Sequence, residues 1–243
     1  MRNAPRGHGR TERPGCCSAS PGWVVCNMHL MNVTPKAVLF DLDGTLHDRA
    51  ATIRAWLKGH TERHRLPPGY AARFIELDDF GYRPKREVIP QLLRELDVPH
   101  DPEALLTDFS QFSLACPAVM PHAHEVLRAL RERGVKIGVV TNGWVEAQTA
   151  CMARAGLTQL VDDVVISKEV GLSKPNPAIY RLSLARLRVD AEHAWFVGDS
   201  PRNDVWGPQQ VGLRAAYLPT GHPLGDEVPD AVLRDLRDVL HLD

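Results

Sequence analysis

No excess of charge of either sign marks this chain: 29 Lys+Arg against 30 Asp+Glu leave a formal charge of -1 and a pI near 6.8. The broad basic surface that a nucleic acid or an anionic membrane selects is therefore lacking, and an anionic ligand must be held by local chemistry. Paired CxxC motifs are lacking too. Cys16, Cys17, Cys26, Cys116 and Cys151 are odd in number and irregular in spacing, which argues against a disulfide framework or a zinc site. No apolar run reaches the length of a bilayer span, and Trp23–Cys26 is too short for a signal-peptide core. The expectation is a reduced cytoplasmic protein with no nucleic-acid or membrane partner. What the chain does have is 44% hydrophobic content over 243 residues, enough to bury a sizeable core.

Residues 1–33 are rich in Arg, Gly, Pro, Ser and Cys and follow neither the strand nor the helix period, which predicts a disordered tail. Met28 and Met31 sit just ahead of the first strand-like run, so translation beginning at one of them is an alternative reading of that segment. From Lys36 on, short apolar runs alternate with amphipathic stretches: Ala37–Phe40, Val135–Val140, Val164–Ile166, Ala194–Val197 and Leu213–Leu218. That alternation predicts an α/β fold, a Rossmann-like parallel sheet of five strands with helices on both faces. About ninety residues separate the first two runs, against the roughly 10–12 that a crossover requires. The surplus has helical periodicity over 49–65, 70–79, 84–97 and 101–114, broken at Pro67-Pro68, at Gly81–Pro84 and at Pro99. The expected organisation is a core of 34–47 and 118–243 carrying an inserted all-α cap over 48–117.

Chemistry gathers where the apolar runs end. The first run delivers Asp41 and Asp43, two residues apart and so on one side of an extended chain, followed by Gly44. The carboxyl end of a strand is where open α/β sheets bind ligands. Two carboxylates so close raise one another's pKa unless a cation or a shared proton intervenes, so the pair calls for a metal, for acid/base work, or for both. The fourth run ends in Gly198-Asp199-Ser200-Pro201-Arg202-Asn203-Asp204, more oxygen ligands of the kind Mg²⁺ favours. The second ends in Thr141-Asn142-Gly143 ahead of a helix, a donor set suited to phosphate oxygens. Lys174, before Pro175, adds a compact cation suited to the same dianion.

These four signatures in chain order, Asp41-x-Asp43-Gly-Thr45, Thr141-Asn142-Gly143, Lys174 and Gly198-Asp199 with Asp204, resemble those of the haloacid dehalogenase superfamily over about residues 36–220. The resemblance implies a phosphatase acting on a small phosphorylated metabolite. Asp41 would attack phosphorus, and Asp43 would protonate the leaving oxygen and then activate water. Asp41, the carbonyl of Asp43 and Asp199 would hold Mg²⁺, with Asp204 in support. Thr45, Thr141, Asn142 and Lys174 would bind the phosphoryl group. Dehalogenase members generally lack the second aspartate, so Asp43 disfavours carbon–halogen hydrolysis. A sugar phosphomutase fits the same motifs. A receiver-like phosphoacceptor module is the non-enzyme alternative, against which the early position of Asp41 and the helical insert argue. The substrate would be read by the cap, and neither a monomer nor a homodimer is singled out.

Other residues attract bland readings. His122 and His124 open a helix, His47 is a bystander after the first motif, and Cys116 and Cys151 pack as small hydrophobes. Trp195 and Phe196 belong to the core, and Trp144, just beyond the second motif, either to the core, which is favoured, or to the entrance. Arg49, Arg54, Arg73, Arg83, Lys85 and Arg86 form a mostly solvated helical face, with one of Arg83 or Lys85 reaching the leaving group.

Overall fold

The computed structural model describes residues 34–243. The expected tail over 1–33, the alternative starts at Met28 and Met31, and Cys16, Cys17 and Cys26 lie outside the described residues.

Six strands, not five, form the sheet: β1 Ala37–Phe40, β2 Lys136–Thr141, β3 Asp163–Ile166, β4 Ala194–Gly198, β5 Arg214–Tyr217 and β6 Ala231–Val232. Every pairing is parallel, in the order β3-β2-β1-β4-β5-β6. The sixth strand has only two residues, paired with Ala216 and Tyr217, and so carries no periodic signal. All four residues of β1 are buried, as expected of a central strand covered on both faces. Alternation divides them. Val38 and Phe40 join Val126, Leu127 and Met152, from helices α5 (Ala123–Glu132) and α6 (Val145–Arg154), on one face. Ala37 and Leu39 join Ile179, Tyr180 and Leu184 of the helix Pro177–Leu187 on the other.

Between β1 and α5 run four helices, α1 Arg49–Arg63, α2 Tyr70–Asp78, α3 Lys85–Glu95 and α4 Pro102–Ala115, close to the expected segments. Asp48 caps α1 by accepting from the Ala51 amide at 2.8 Å, and Asp101 caps α4 ahead of Pro102. These helices bury their own core, with Trp56, Tyr70, Phe74, Ile89, Leu92 and Leu105 fully enclosed. The chain leaves for them and returns through adjacent backbone: the Asp48 amide donates to the Ala118 carbonyl and the Met120 amide to that of Leu46, both at 2.9 Å. Among the described residues no helix is long and apolar enough to cross a membrane.

Three bland readings fail here. Trp144, at the N-terminus of α6, is 68% exposed and lines a cavity, the alternative to core. Cys116 is exposed beyond the end of α4, while Cys151 is buried as expected. Arg49 and Lys85 are not on a solvated face: both pair with the buried carboxylate of Asp78.

Candidate active site

Strand order sets the position of the site. The chain passes from β1 out to β2 and β3, then returns to the other side of β1 as β4, so the crossovers diverge between β1 and β4, and a crevice opens at their carboxyl ends. Asp41 follows β1 directly, its amide donating to the Val197 carbonyl at 2.9 Å, and Asp199 follows β4. Asp41, Asp43, Thr141, Asn142, Lys174 and Asp199 line one cavity of about 290 Å³ there. Six of the eight residues singled out in the sequence thus share one wall. Asp204 stands just behind it, fully buried, with Oδ1 at 2.8 Å from Lys174 Nζ and Oδ2 accepting from the Ser200 amide at 3.0 Å. Gly198 makes room for it, since a Cβ there would collide with the Asp204 side chain. Thr45 differs from expectation. It is fully buried away from the cavity wall, and among the described residues its hydroxyl finds no hydrogen-bond partner.

The electrostatics follow from burial. Asp41, Asp199 and Asp204 place carboxylate oxygens within 4.8 Å of one another, and all three are buried. Lys174 Nζ, 2.8 Å from both Asp41 and Asp204, is the one cation that touches them among the described residues. Burial, with repulsion from Asp204 only partly offset by Lys174, pushes Asp41 up to about 7. Burial, then Asp41 and Asp204, push Asp199 up to about 9. Burial alone would lower the Lys174 ammonium, but Asp204 and Asp41 outweigh it and hold it above its ordinary value. Three carboxylates against one ammonium is a donor set of hard oxygens lacking positive charge, and it fits a divalent cation such as Mg²⁺. Gly44, at φ +86°, brings its backbone against the Asp199 side chain, where a Cβ would collide. That requirement explains a glycine at this turn.

Asp43 lives in a different environment. Its Oδ1 is 2.6 Å from His47 Nδ1, and its Oδ2 accepts from Gln148 Nε2 at 2.9 Å. Burial would raise this carboxyl, but the hydrogen bond and charge of His47, the Gln148 amide and Arg49 together hold it down at about 2. The far side of the His47 ring fixes a proton on Nε2. The Thr52 hydroxyl donates to the Asp48 carbonyl and accepts from the Ala118 amide, so His47 Nε2, 2.8 Å away, must donate to it. Nδ1 therefore faces Asp43 with a single proton to share. His47 is no bystander. Its role was hidden in the sequence because Thr52 and Ala118 meet it only in space.

Asn142 is also used differently from the expectation. Its side-chain amide donates to the Lys174 carbonyl at 3.0 Å and accepts from the Lys174 amide at 2.9 Å, pinning the backbone that presents the ammonium. Thr141 is steadied by Gln148 Nε2 at 3.1 Å. The mouth brings in residues for which the sequence offered no chemical motif. Tyr82, between α2 and α3, meets Ser200 Oγ at 2.5 Å and accepts from Asn203 Nδ2 at 2.9 Å. Asp79 meets His222 at 2.8 Å across the same opening. His124 lies elsewhere, donating to the Ala155 carbonyl.

Comparison with known proteins agrees with this geometry. The model of the haloacid dehalogenase-like hydrolase family matches residues 35–212. A phosphoserine phosphatase of Thermus thermophilus is 38% identical over 206 residues, 79% of this chain and 79% of its own. A glyceraldehyde 3-phosphate phosphatase of Pyrococcus abyssi is 30% identical over 196 residues, 76% of this chain and 82% of its own. A magnesium-bound HAD hydrolase of Bacillus subtilis superposes with a TM-score of 0.74 at 22% identity, covering 85% of this chain and 97% of that one, which shows the shared fold.

Proposed function

This chain belongs to the haloacid dehalogenase-like hydrolase family, and from that footing we propose that it is a phosphatase hydrolysing a small phosphorylated metabolite through an aspartyl-phosphate on Asp41. The observation that carries this reading is Asp43. A second carboxylate lines the cavity of the first, held by His47 and Gln148. Expelling an alkoxide from phosphorus needs a proton donor, whereas displacing halide from carbon does not.

In the proposed reaction an Asp41 oxygen attacks phosphorus while the bond to the ester oxygen breaks, and that oxygen takes its proton from Asp43. The carboxyl of Asp43 is low in the empty cavity, and the arrival of a phosphate dianion raises it toward the protonated form the step requires. Asp43, now ionised, then takes a proton from water as that water attacks the aspartyl-phosphate, releasing inorganic phosphate and freeing Asp41. Lys174 and Thr141 donate to the phosphoryl oxygens, and Asn142 acts through Lys174, whose backbone it holds. Asp41, Asp199 and the Asp43 carbonyl would hold Mg²⁺. Both Asp204 oxygens are engaged by Lys174 and Ser200, which suits a supporting role. A bound Mg²⁺ supplies charge neutralisation between the nucleophile and the phosphoryl group.

We further propose that 48–117 is a cap over the core formed by 34–47 and 118–243, hinged where 46–48 lie beside 118–120, and that its closure excludes bulk water. The test is hydrolysis of an aryl phosphate with and without Mg²⁺. Asp41→Asn is expected to lose at least about 10³-fold in kcat, and Asp43→Asn about 10²–10⁴-fold. Undiminished turnover by Asp41→Asn would overturn the proposal, as would turnover of a 2-halo acid in place of phosphate esters.

A further inference from the structure

A second cavity of about 320 Å³ adjoins the first, and the two share Asp43, Arg49, Gly81 and Asn142 in their walls. Its far side belongs to the helical insert. Arg49, Arg83 and Lys85 line it together with apolar groups that include Ile53, Phe109 and Trp144. It therefore extends from the reacting carboxylates toward the place where the leaving group of a bound ester must lie.

The charge of that space does not balance. Arg49 grips Asp78 through two hydrogen bonds of 2.7 and 2.9 Å, and Lys85 pairs with the same carboxylate. Asp78 is 4% exposed, so one buried anion answers two cations that are themselves largely enclosed. Arg83 adds a third cation, and its hydrogen bond goes to a neutral partner, Gln91, at 2.8 Å. Glu95 lies beyond Gln91 but is claimed by Arg73 at the surface. Asp43 is already met by His47 and Gln148, so three cations, Arg49, Lys85 and Arg83, stand against the single carboxylate of Asp78. Lys85 feels the imbalance: burial, with the guanidinium groups of Arg49 and Arg83, draws it below its ordinary value despite Asp78. A surplus of positive charge in a partly open cavity edged by apolar groups is stabilised when an anion arrives to meet it.

We propose that this second cavity is a subsite for an anionic group on the leaving part of the substrate, a carboxylate or a second phosphate, with Arg83 and Arg49 as its reading residues. The proposal rests on the phosphatase reading and names the substrate class for that site. Gly81 is part of the device. It sits at φ +96°, and a Cβ there would press on the Arg49 guanidinium, 2.8 Å from its Nε.

The experiment is steady-state kinetics on matched phosphate esters with Mg²⁺ present: phosphoglycolate against ethyl phosphate, phosphoglycerate against glycerol phosphate, and propanediol bisphosphate against its monophosphate. The wild type is expected to prefer the anionic member of at least one pair by about tenfold or more in kcat/KM. Preference in the first two pairs identifies a carboxylate, and preference in the third a phosphate. In Arg83→Gln, whose partly exposed side chain makes misfolding a small concern, the ratio within that pair should fall toward one, and in Arg49→Gln it should fall as well. Ratios near one for every pair in the wild type would overturn the subsite, as would a preference that survives in both variants. The wild type separates the two ideas: turnover of every ester, lost in Asp41→Asn, with flat ratios in the wild type sinks the subsite alone, whereas wild-type protein that hydrolyses no ester sinks the phosphatase reading beneath it.

Discussion

Burial raises Asp41 to about 7 and Asp199 to about 9, and the sign of the consequence is fixed by linkage. In the unfolded chain both carboxyls ionise near their ordinary 3.8. The metal-free native protein therefore holds more protons than the unfolded chain across the interval between 3.8 and about 9, and its stability falls as pH rises through that window. A divalent cation binds the ionised carboxylates and reverses the trend. Thermal unfolding should accordingly show a lower Tm at pH 8.5 than at pH 5.5 without Mg²⁺, and a larger Mg²⁺-induced rise at pH 8.5. Asp199→Asn should flatten both responses. A rise that is larger in acid would contradict the electrostatics of the carboxylate cluster. The same scale explains why the motifs were legible in the sequence. Asp41, Asp43 and Asp199 owe their positions to the strands they follow, and a strand end is a local feature. His47, Gln148 and Tyr82 owe theirs to partners remote in the chain or met only through the fold.

Among elements, the α1–α4 contact depends on one carboxylate. Asp108 accepts from Trp56 Nε1 at 2.8 Å and from Arg63 at 2.8 to 3.0 Å, and meets His60 Nδ1 at 2.7 Å. Burial would raise it, but the hydrogen bonds of Trp56, His60 and Arg63 outweigh that and hold it at about 2. A depressed carboxyl stabilises above the unfolded pKa, and the contribution is lost as pH falls from about 4 toward 2. Removing it orphans the enclosed Trp56 and His60 groups, so Asp108→Ala should cost about 2–3 kcal/mol, read by denaturant unfolding. Asp108 lines neither cavity at the site. Its loss should therefore lower the denaturation midpoint while changing kcat/KM by less than about threefold at a temperature where the variant is folded. The helices of the insert were legible because each spans two turns or more and is bounded by proline, glycine or a capping aspartate. The sixth strand was not, since two residues cannot display a period. Trp144 misled for a different reason: a large aromatic near an apolar strand is more often core, and only the fold shows that it lines the second cavity instead.

For the whole molecule, what matters is that the carboxylate cluster and the second cavity sit on different parts of the fold. The first group belongs to the ends of β1 and β4, and the second is lined by α1 and the start of α3. Besides the paired backbone at 46–48 and 118–120, the two parts meet at the cavity mouth through the turn between α2 and α3. There Asp79, Phe80 and Gly81 all take positive φ, a conformation that costs energy for Asp79 and Phe80 and persists only where contacts hold it. Those contacts are Tyr82 with Ser200 and Asn203, and His222 with Asp79 and the Phe80 ring at 4.6 Å. Tyr82 and Phe80 are both about half exposed, so the contact contributes little to folding and is of the kind that opens and closes. Tyr82→Phe removes the hydroxyl that joins the turn to the core while keeping the ring. It should leave the Tm within about 1 °C, because the residue is half exposed, and lower kcat/KM about three- to tenfold by weakening the closed state proposed for the insert. An effect confined to Tm, with kcat/KM intact, would mean that the turn is a structural brace and that closure of the insert is governed elsewhere.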